Sequence, residues 1–532
     1  MEFRISSKKV YYFLFAGVLL ITFLVHASYI NNGFLWLDHR DIEDKRAIVP
    51  LESFQKAFTS RYGDTGFYRP LVTIIHSIDF WLYSNWAPGF HLTNIILHLI
   101  ATAILPFFLL CYFDFNSFES LICALIFGIH PVSWLPVGGI SYRPEILFVI
   151  FTMLAVFFHV KARKTKKPIF VIFALISFLL GAFSKENALF LMTFLILLWE
   201  FINSRKTPIS KPAYIIFSGE LIAAAFYMIL RWIAVPEFWR TSSPVMSLSD
   251  SIGTRLFALG FQMLILVNPL RPPLSDATLI TGIGNPIPLI VLAVLALLFG
   301  VILISGVRSD LSKALFIIGI SLAPSLNIIP LPRFKSPHNS YFAIAGISAL
   351  VIIALRMPEN KKYITRAAKF ALALWLAVMT FVTFAGGFQF RNDVSLFQSE
   401  VQSDPNFLEG HFYLGNSYLE AGNYSLAANE YEMAISNHSD VIAFVDEVSL
   451  FTNLGLAKIY EGNPKEAESL LLSAEENAPT SEKPLIAYNR AVLAYNNGNY
   501  SKALGILMKY EGQYKRPEPL MLTAASLEKL NR

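Results

Sequence analysis

FLWLDHRDIEDKRAI, residues 34–48, sets four acids (Asp38, Asp41, Glu43, Asp44) among His39, Arg40, Lys45 and Arg46, directly after an apolar run. That run, Val10–Ile30, is about the length a helix needs to cross a bilayer and too long for the core of a cleaved leader. With MEFRISSKK ahead of it, it reads as an uncleaved signal anchor. The next apolar run starts near residue 90, so 31–89 is a loop of mixed charges and aromatics between two spans. A connector that long in a compact protein is usually functional.

Composition fixes the setting. The chain has 532 residues, 55% hydrophobic and only 15% charged, with a mean hydropathy of +0.51. Soluble chains are nearer a quarter charged, so the expected class is all-α and polytopic in a membrane. A net charge of +5 is too small to point to nucleic acid. Cys111 and Cys123 lie in or beside apolar runs, which argues against a structural disulfide or a cysteine metal site.

Runs long enough to span fall near 10–30, 90–112, 118–136, 144–161, 168–184, 187–203, 212–233, 286–306, 313–331, 339–356 and 369–387. Arg255 and Gln262 interrupt 252–268, which either spans or lies along the interface. With about eleven spans, KARKTKK (161–167), NSRKTPISK (203–211), Arg308–Lys313 and RMPENKKYITRAAK (356–369) share the side of the N-terminus. Basic loops stay in the cytoplasm, so the N-terminus is expected inside, and 31–89, 137–143, 184–187, 234–285, 332–338 and the C-terminus outside.

From about Phe390 the apolar runs give way to a 34-residue helical repeat. Leu414-Gly415, Tyr418, Ala427, Tyr431 and Ala434 fill tetratricopeptide (TPR) positions, as do Leu454-Gly455, Ala467, Ala474 and Pro479. Ala491, Ala494, Ala503 and Leu507 mark a third, weaker unit, and 517–532 a final half. Small residues at these positions let paired helices approach closely. The expected division is a membrane domain over 1–389 and a TPR α-solenoid over 390–532. Asn-x-Ser triplets at Asn423, Asn437 and Asn499 are acceptors for glycosylation if this part is outside, though such triplets are common by chance.

FLWLDHRDI (34–42), the stretch from FYRPL to LHLI (67–100), FGIHPVSWLPVGGISYRPEIL (127–147), SKENAL (184–189) and FRNDVSLFQSEVQSDPN (390–406) come in the order of a known family. The chain resembles the transmembrane-and-TPR O-mannosyltransferases of the GT-C superfamily over nearly its whole length. The resemblance implies an enzyme that takes a hexose, mannose by family analogy, from a polyprenyl- or dolichyl-phosphate carrier. Its acceptor would be a protein hydroxyl beyond the membrane, with a lipid or glycan acceptor the close alternative. The setting would be the cell membrane of a prokaryote or the endoplasmic reticulum of a eukaryote. The family commonly pairs two acids where this chain has Leu37-Asp38. Asp41 or Glu43 is left to supply the second, and the resemblance makes Asp38 the catalytic base.

The chemistry can be argued without the family. A sugar on a lipid phosphate already has a good leaving group, so the site must take a hydroxyl proton and hold phosphate charge. A partly buried carboxylate does the first, and a single displacement inverting the sugar needs no second carboxylate as nucleophile. Arginine suits the second, because its planar fork binds two oxygens. Arg69 stands where GT-C relatives place a phosphate ligand; Arg333, Lys335 and His338 in LPRFKSPHNSYFAIAG form a later basic group. Arg333 and Lys335 also fit snorkelling interfacial charges.

His91, Asn94 and His98 share a helix face, which favours polar packing between spans over metal, with His91 able to line the site. Arg143, Glu145, Lys185 and Glu186 either line the site or form intramembrane ion pairs. No DxD stands in the first loop, so no metal cofactor is expected. A non-catalytic TPR scaffold remains a rival that Asp38→Asn would separate. A transporter fits less well, with few charges inside the spans and no inverted pair of broken helices.

Overall fold

The computed structural model describes residues 8–63, 65–203, 211–236, 246–268, 270–327, 333–356, 362–435, 440–443, 445–514 and 516–531; within these, the side chains of 211–213 and 362–365 are outside the description. Most of the basic segment 203–211, part of 356–369 and the Asn437 triplet lie outside the described residues. Contacts divide the chain into two compact units, Met1–Leu274 with Thr278–Asn392, and Ser275–Ala277 with Asp393–Arg532.

The first unit holds helices α1 (Lys8–His26), α2 (Pro70–Tyr83), α3 (Ala87–Tyr112), α4 (Ser117–Ile129), α5 (Trp134–Gly138), α6 (Arg143–Thr165), α7 (Pro168–Ser184), α8 (Asn187–Asn203), α9 (Lys211–Ala234), α10 (Leu248–Val267), α11 (Pro286–Ser305), α12 (Asp310–Leu322), α13 (Ala343–Arg356) and α14 (Lys362–Gly386). Among the described residues seven helical stretches are long and apolar enough to cross a membrane, and eight if one bent pair is a single span. The chain is an integral membrane protein. α7, α8 and α13 are apolar but shorter, so the eleven expected spans reduce to seven or eight by length.

The differences have local causes. The run 118–136 bends by 50° between α4 and the turn at Pro131, because a residue before proline is pushed to extended backbone. His130 takes that conformation (φ −68°, ψ 132°), and its Nδ1 accepts from the N–H of Val132. The run 313–331 yields only the thirteen-residue α12, which ends at Ala323-Pro324. By contrast, 252–268 forms the twenty-residue α10, long and apolar enough to span. Its Gln262 is buried and donates to the Ser336 carbonyl at 2.6 Å, which removes the polar objection to burying that helix.

The second unit is built from α15 (Asp393–Ser403), α16 (Leu408–Glu420), α17 (Tyr424–Ile435), α18 (Glu447–Tyr460), α19 (Pro464–Asn477), α20 (Lys483–Asn496), α21 (Tyr500–Met508) and α22 (Glu518–Leu530). Successive helices pack as neighbours. The turns after α16, α18 and α20 each place glycine at positive φ: Gly422 (+76°), Gly462 (+83°) and Gly498 (+74°), a conformation that costs other residues energy. A Cβ on Gly415 would lie 2.7 Å from the Tyr431 ring, and one on Gly455 2.8 Å from Leu471. Ala427, Ala434, Ala467 and Ala474 are buried at the same seams. Asn499 caps α21 by accepting from the Lys502 N–H.

Candidate active site

Asp38 opens a single turn of π-helix, His39–Glu43, a form that recurs at functional sites. Its side chain is 1% exposed and reaches across 103 residues of sequence to the turn before α6. There the N–H of Ser141 donates to Oδ1 at 2.7 Å and that of Ile140 to Oδ2 at 3.3 Å. Burial pushes the Asp38 carboxyl up to about 7, with the two N–H donors and the nearby Ser141 side chain pulling against it. A carboxyl in that range changes charge near neutral pH, as a general base requires.

The turn that holds Asp38 continues into a ring of aromatics and cations. Trp36, at φ +52°, lies 5.6 Å from the Tyr142 ring, and Tyr142 lies 5.0 Å from His338. The Arg333 guanidinium sits over Trp36 at 5.4 Å. His338 Nε2 is 3.7 Å from Glu145, which also takes Lys185 Nζ at 2.5 Å. Burial, then the charges of Lys185, Arg333 and Arg69, hold the His338 imidazole well below its usual range. Beside it a small cleft of about 20 Å³ is lined by Glu145, Lys185 and Asn339 with Phe148, Phe190 and Ile320.

Arg69 immediately precedes α2, its side chain 3.4 Å from Glu186 and 4.1 Å over the Phe67 ring. It also lies 5.8 Å from the Tyr62 ring, whose hydroxyl donates to Asp41 at 3.2 Å. Asp41 is buried and takes Arg40 Nε at 2.8 Å. Among the described residues no group of three or more His, Cys, Asp or Glu is placed to hold a metal ion.

Other candidates are drawn elsewhere. Arg143 is fully buried, giving Nη2 to Asp79 at 2.7 Å and Nε to Asn94 at 2.7 Å. That is a helix-packing role, with Asp79 as a partner not foreseen. His91 Nε2 donates to the Gly33 carbonyl at 3.0 Å, tying α3 to the start of the loop that carries Asp38, and His98 bonds Tyr341 and the Gly128 carbonyl, bracing helices. Glu43 is exposed and pairs with His39 one turn back. Lys335 turns toward the Phe261 ring at 4.9 Å. The neighbours Arg143 and Glu145 therefore separate, and the ion pairs cross: Arg143 with Asp79, Lys185 with Glu145, Arg69 with Glu186.

No known protein-family pattern matches the chain. Mouse protein O-mannosyl-transferase TMTC3 is 27% identical over 160 residues, which is 28% of this chain and 17% of that protein. The Caenorhabditis elegans protein O-mannosyl-transferase F38B6.6 is 34% identical over 127 residues, 23% of this chain and 17% of its own. The chain resembles the TMTC-type protein O-mannosyl-transferases. The matched stretch spans about a sixth of each relative's length and 23–28% of this chain, narrower than the motif order over nearly the whole sequence implies. A solved structure, ArnT from Cupriavidus metallidurans bound to undecaprenyl phosphate, covers 89% of this chain and 82% of its own at TM-score 0.42 and 13% identity, a loose likeness.

In this TMTC-like chain the residues that sequence reasoning missed are Trp36, Tyr62, Ser141 and Tyr142. Ser141 acts through its backbone N–H, which leaves no mark in a sequence. Tyr142 adjoins Arg143-Pro144-Glu145 and could have been suspected from that company.

Proposed function

We propose that the chain is a membrane glycosyltransferase of GT-C type, moving a hexose from a polyprenyl or dolichyl phosphate to a hydroxyl of a protein acceptor. Its membrane domain, 1–389, carries the chemistry, and the 390–532 repeats form a TPR module. The N-terminus is cytoplasmic, and loop 31–89 and the repeats lie on the opposite side. Asp38 takes the proton from the acceptor hydroxyl as that oxygen attacks the anomeric carbon. The carbon–oxygen bond to phosphate breaks with its electrons, and inversion follows from the single displacement. Charge gathering on the departing phosphate is met by Arg69 and Arg333, with Lys185 behind and the uncharged His338 imidazole as a hydrogen-bond donor. Asp41, tied through Tyr62 to the Arg69 side, keeps that wall in place.

The observation that carries this reading is the seat of Asp38. A buried carboxyl held by two backbone N–H groups, with its proton affinity raised to about 7, adjoins a cation-rich aromatic ring. The test is purified protein with a panel of polyprenyl-phosphate hexoses and the acceptor, scoring free lipid phosphate with and without EDTA. Release from one donor, insensitive to EDTA, is the expected result; no release from any donor overturns the reading. Deleting 400–532 is expected to lower transfer to a protein acceptor by raising KM, because the repeats would concentrate it near the site. Unchanged transfer after that deletion would remove the acceptor role from the repeats.

A further inference from the structure

The turn that seats Asp38 is itself held from behind. α5 ends at Gly138, and the last carbonyls of a helix have no partner within it. Here they meet one side chain of α3. Asn94 Nδ2 donates to the Gly139 carbonyl at 3.2 Å and lies 3.4 Å from that of Val137 and 3.5 Å from that of Pro136. Its Oδ1 accepts Arg143 Nε at 2.7 Å. The amide can point only one way, because a guanidinium offers only donors and a carbonyl only an acceptor. Asn94 and Arg143 are both fully buried.

Gly139 and Ile140 share a trans peptide unit, so its carbonyl and its N–H point in opposite directions. Asn94 holds the carbonyl, and Asp38 accepts from the N–H at 3.3 Å. That peptide plane is therefore pinned at both edges. Hydrogen bonds run unbroken from the Arg143 guanidinium, through the Asn94 amide and one peptide unit, to the Asp38 carboxylate. Each amide in such a series is polarised by its neighbour, which strengthens the next donor. Arg143 is fixed in turn by Asp79 at 2.7 Å and the Phe90 carbonyl at 3.2 Å. His91, one turn before Asn94 on the same face of α3, donates to the Gly33 carbonyl. One helix face thus holds both segments that meet at Asp38: the loop that carries it and the turn that receives it. The titratable groups around the series are His76 and Asp79 on α2, His91 on α3, Arg143 on α6 and His39 beside Asp38. Arg143 is the one that the Asn94 amide joins to Asp38.

We propose that Asn94 is a positioning residue for the transfer reaction: it fixes the Gly139–Ile140 peptide that orients Asp38 and links that carboxylate to the Arg143 charge. This rests on the reading of Asp38 as the base. A polar residue that merely filled space between helices would need one partner, whereas this side chain uses its acceptor and its donors on opposite sides. Without the amide the peptide is free to tilt, and its N–H becomes a weaker donor. The Asp38 carboxylate is then less favoured and keeps its proton to higher pH.

The test compares the full-length wild type with Asn94→Leu and, as a packing control on the same helix, His98→Leu. Two quantities are followed across the neutral pH range: kcat for transfer from the lipid-linked sugar, and the infrared band of a protonated carboxyl that Asp38→Asn removes. In Asn94→Leu the plateau kcat should fall roughly thirtyfold, and both midpoints should move up by about half a pH unit. His98→Leu should lower the thermal midpoint and leave both pH midpoints in place. Asn94→Ser, whose hydroxyl can serve the guanidinium or the carbonyl but not hold both in place, should shift them the same way and decides the matter if the leucine variant does not fold. Wild-type midpoints in the Asn94 variants overturn the proposal, whatever their thermal stability. Absence of transfer in the wild type would instead overturn the enzymatic reading, and the infrared midpoint would still report whether Asn94 sets the seat of Asp38.

Discussion

Asp38 in the membrane unit and Glu475 in the repeat unit are both buried carboxylates, 1% and 3% exposed, and their surroundings push them in opposite directions. Asp38 has two neutral backbone donors, and burial carries it up to about 7. Burial also pushes Glu475 up, but Lys509 at 2.8 Å, Tyr510 at 2.8 Å and Arg490 together bring it below its ordinary range. Arg490 is shared with Glu468, at 2.8 Å. Burial alone therefore does not set what a carboxylate can do; the charge of its donors does. Neutral donors orient Asp38 while leaving it able to accept a proton. Cations spend Glu475 on holding α19 to α20 and to the segment after α21.

The comparison can be broken from either side. The largest effect is expected for Asp38→Asn, which keeps the shape and removes the base. Transfer should fall about 10³-fold in kcat, and the thermal midpoint should drop modestly, because the new amide NH2 cannot accept from one of the two backbone N–H groups. Arg490→Met strips the guanidinium from Glu475 and Glu468, moving Glu475 toward the situation of Asp38. Chemical denaturation of the full chain should then show the repeat transition about 3 kcal/mol less stable, with transfer to a short acceptor peptide unchanged. The sign with pH follows from the lowered Glu475. Its contribution is present above the unfolded glutamate value of about 4.3 and is lost as pH falls through the folded one. In Arg490→Met that acid sensitivity should shrink.

Arg69→Gln comes next. Losing a charge-assisted contact to phosphate costs about 2 kcal/mol, read as a roughly thirtyfold fall in kcat/KM for the lipid donor. The smallest effect is expected for Gly415→Ala, whose Cβ meets the Tyr431 ring at 2.7 Å. The ring is buried and its hydroxyl donates to Asn416, so it must shift, at a cost of about 1–2 kcal/mol of repeat stability, measurable by denaturation.

Several of these elements were legible in the sequence for physical reasons. Apolar length is a one-dimensional property, and α1, α3, α6, α9, α11 and α14 lie where the runs place them. Small residues recurring in the repeat pattern, forty positions apart, likewise mark Gly415 and Gly455 as close-approach points. The bend at His130 follows from Pro131, but a hydropathy run passes over a proline without noticing it. The run 252–268 is ambiguous in sequence because Arg255 and Gln262 interrupt it, and the Ser336 carbonyl that accepts from Gln262 lies 74 residues away.

Pairings were the illegible part. Arg143, Glu145, Lys185, Glu186 and Arg69 were all singled out, yet nothing in their order says that Glu145 takes Lys185 while Arg143 turns to Asp79. The residues that seat Asp38 donate through the backbone and have no side-chain signature. Nor does sequence foretell that Trp36 adopts a positive φ.

The most direct test is the pH dependence of kcat/KM for transfer from the lipid-linked sugar, from pH 5 to 9. A base raised to about 7 is protonated and idle in acid, so the rate should climb with pH and level off above a midpoint near 7. A rate flat across that range, or a midpoint near the ordinary aspartate value of about 4, would contradict a raised carboxyl at Asp38 as the base.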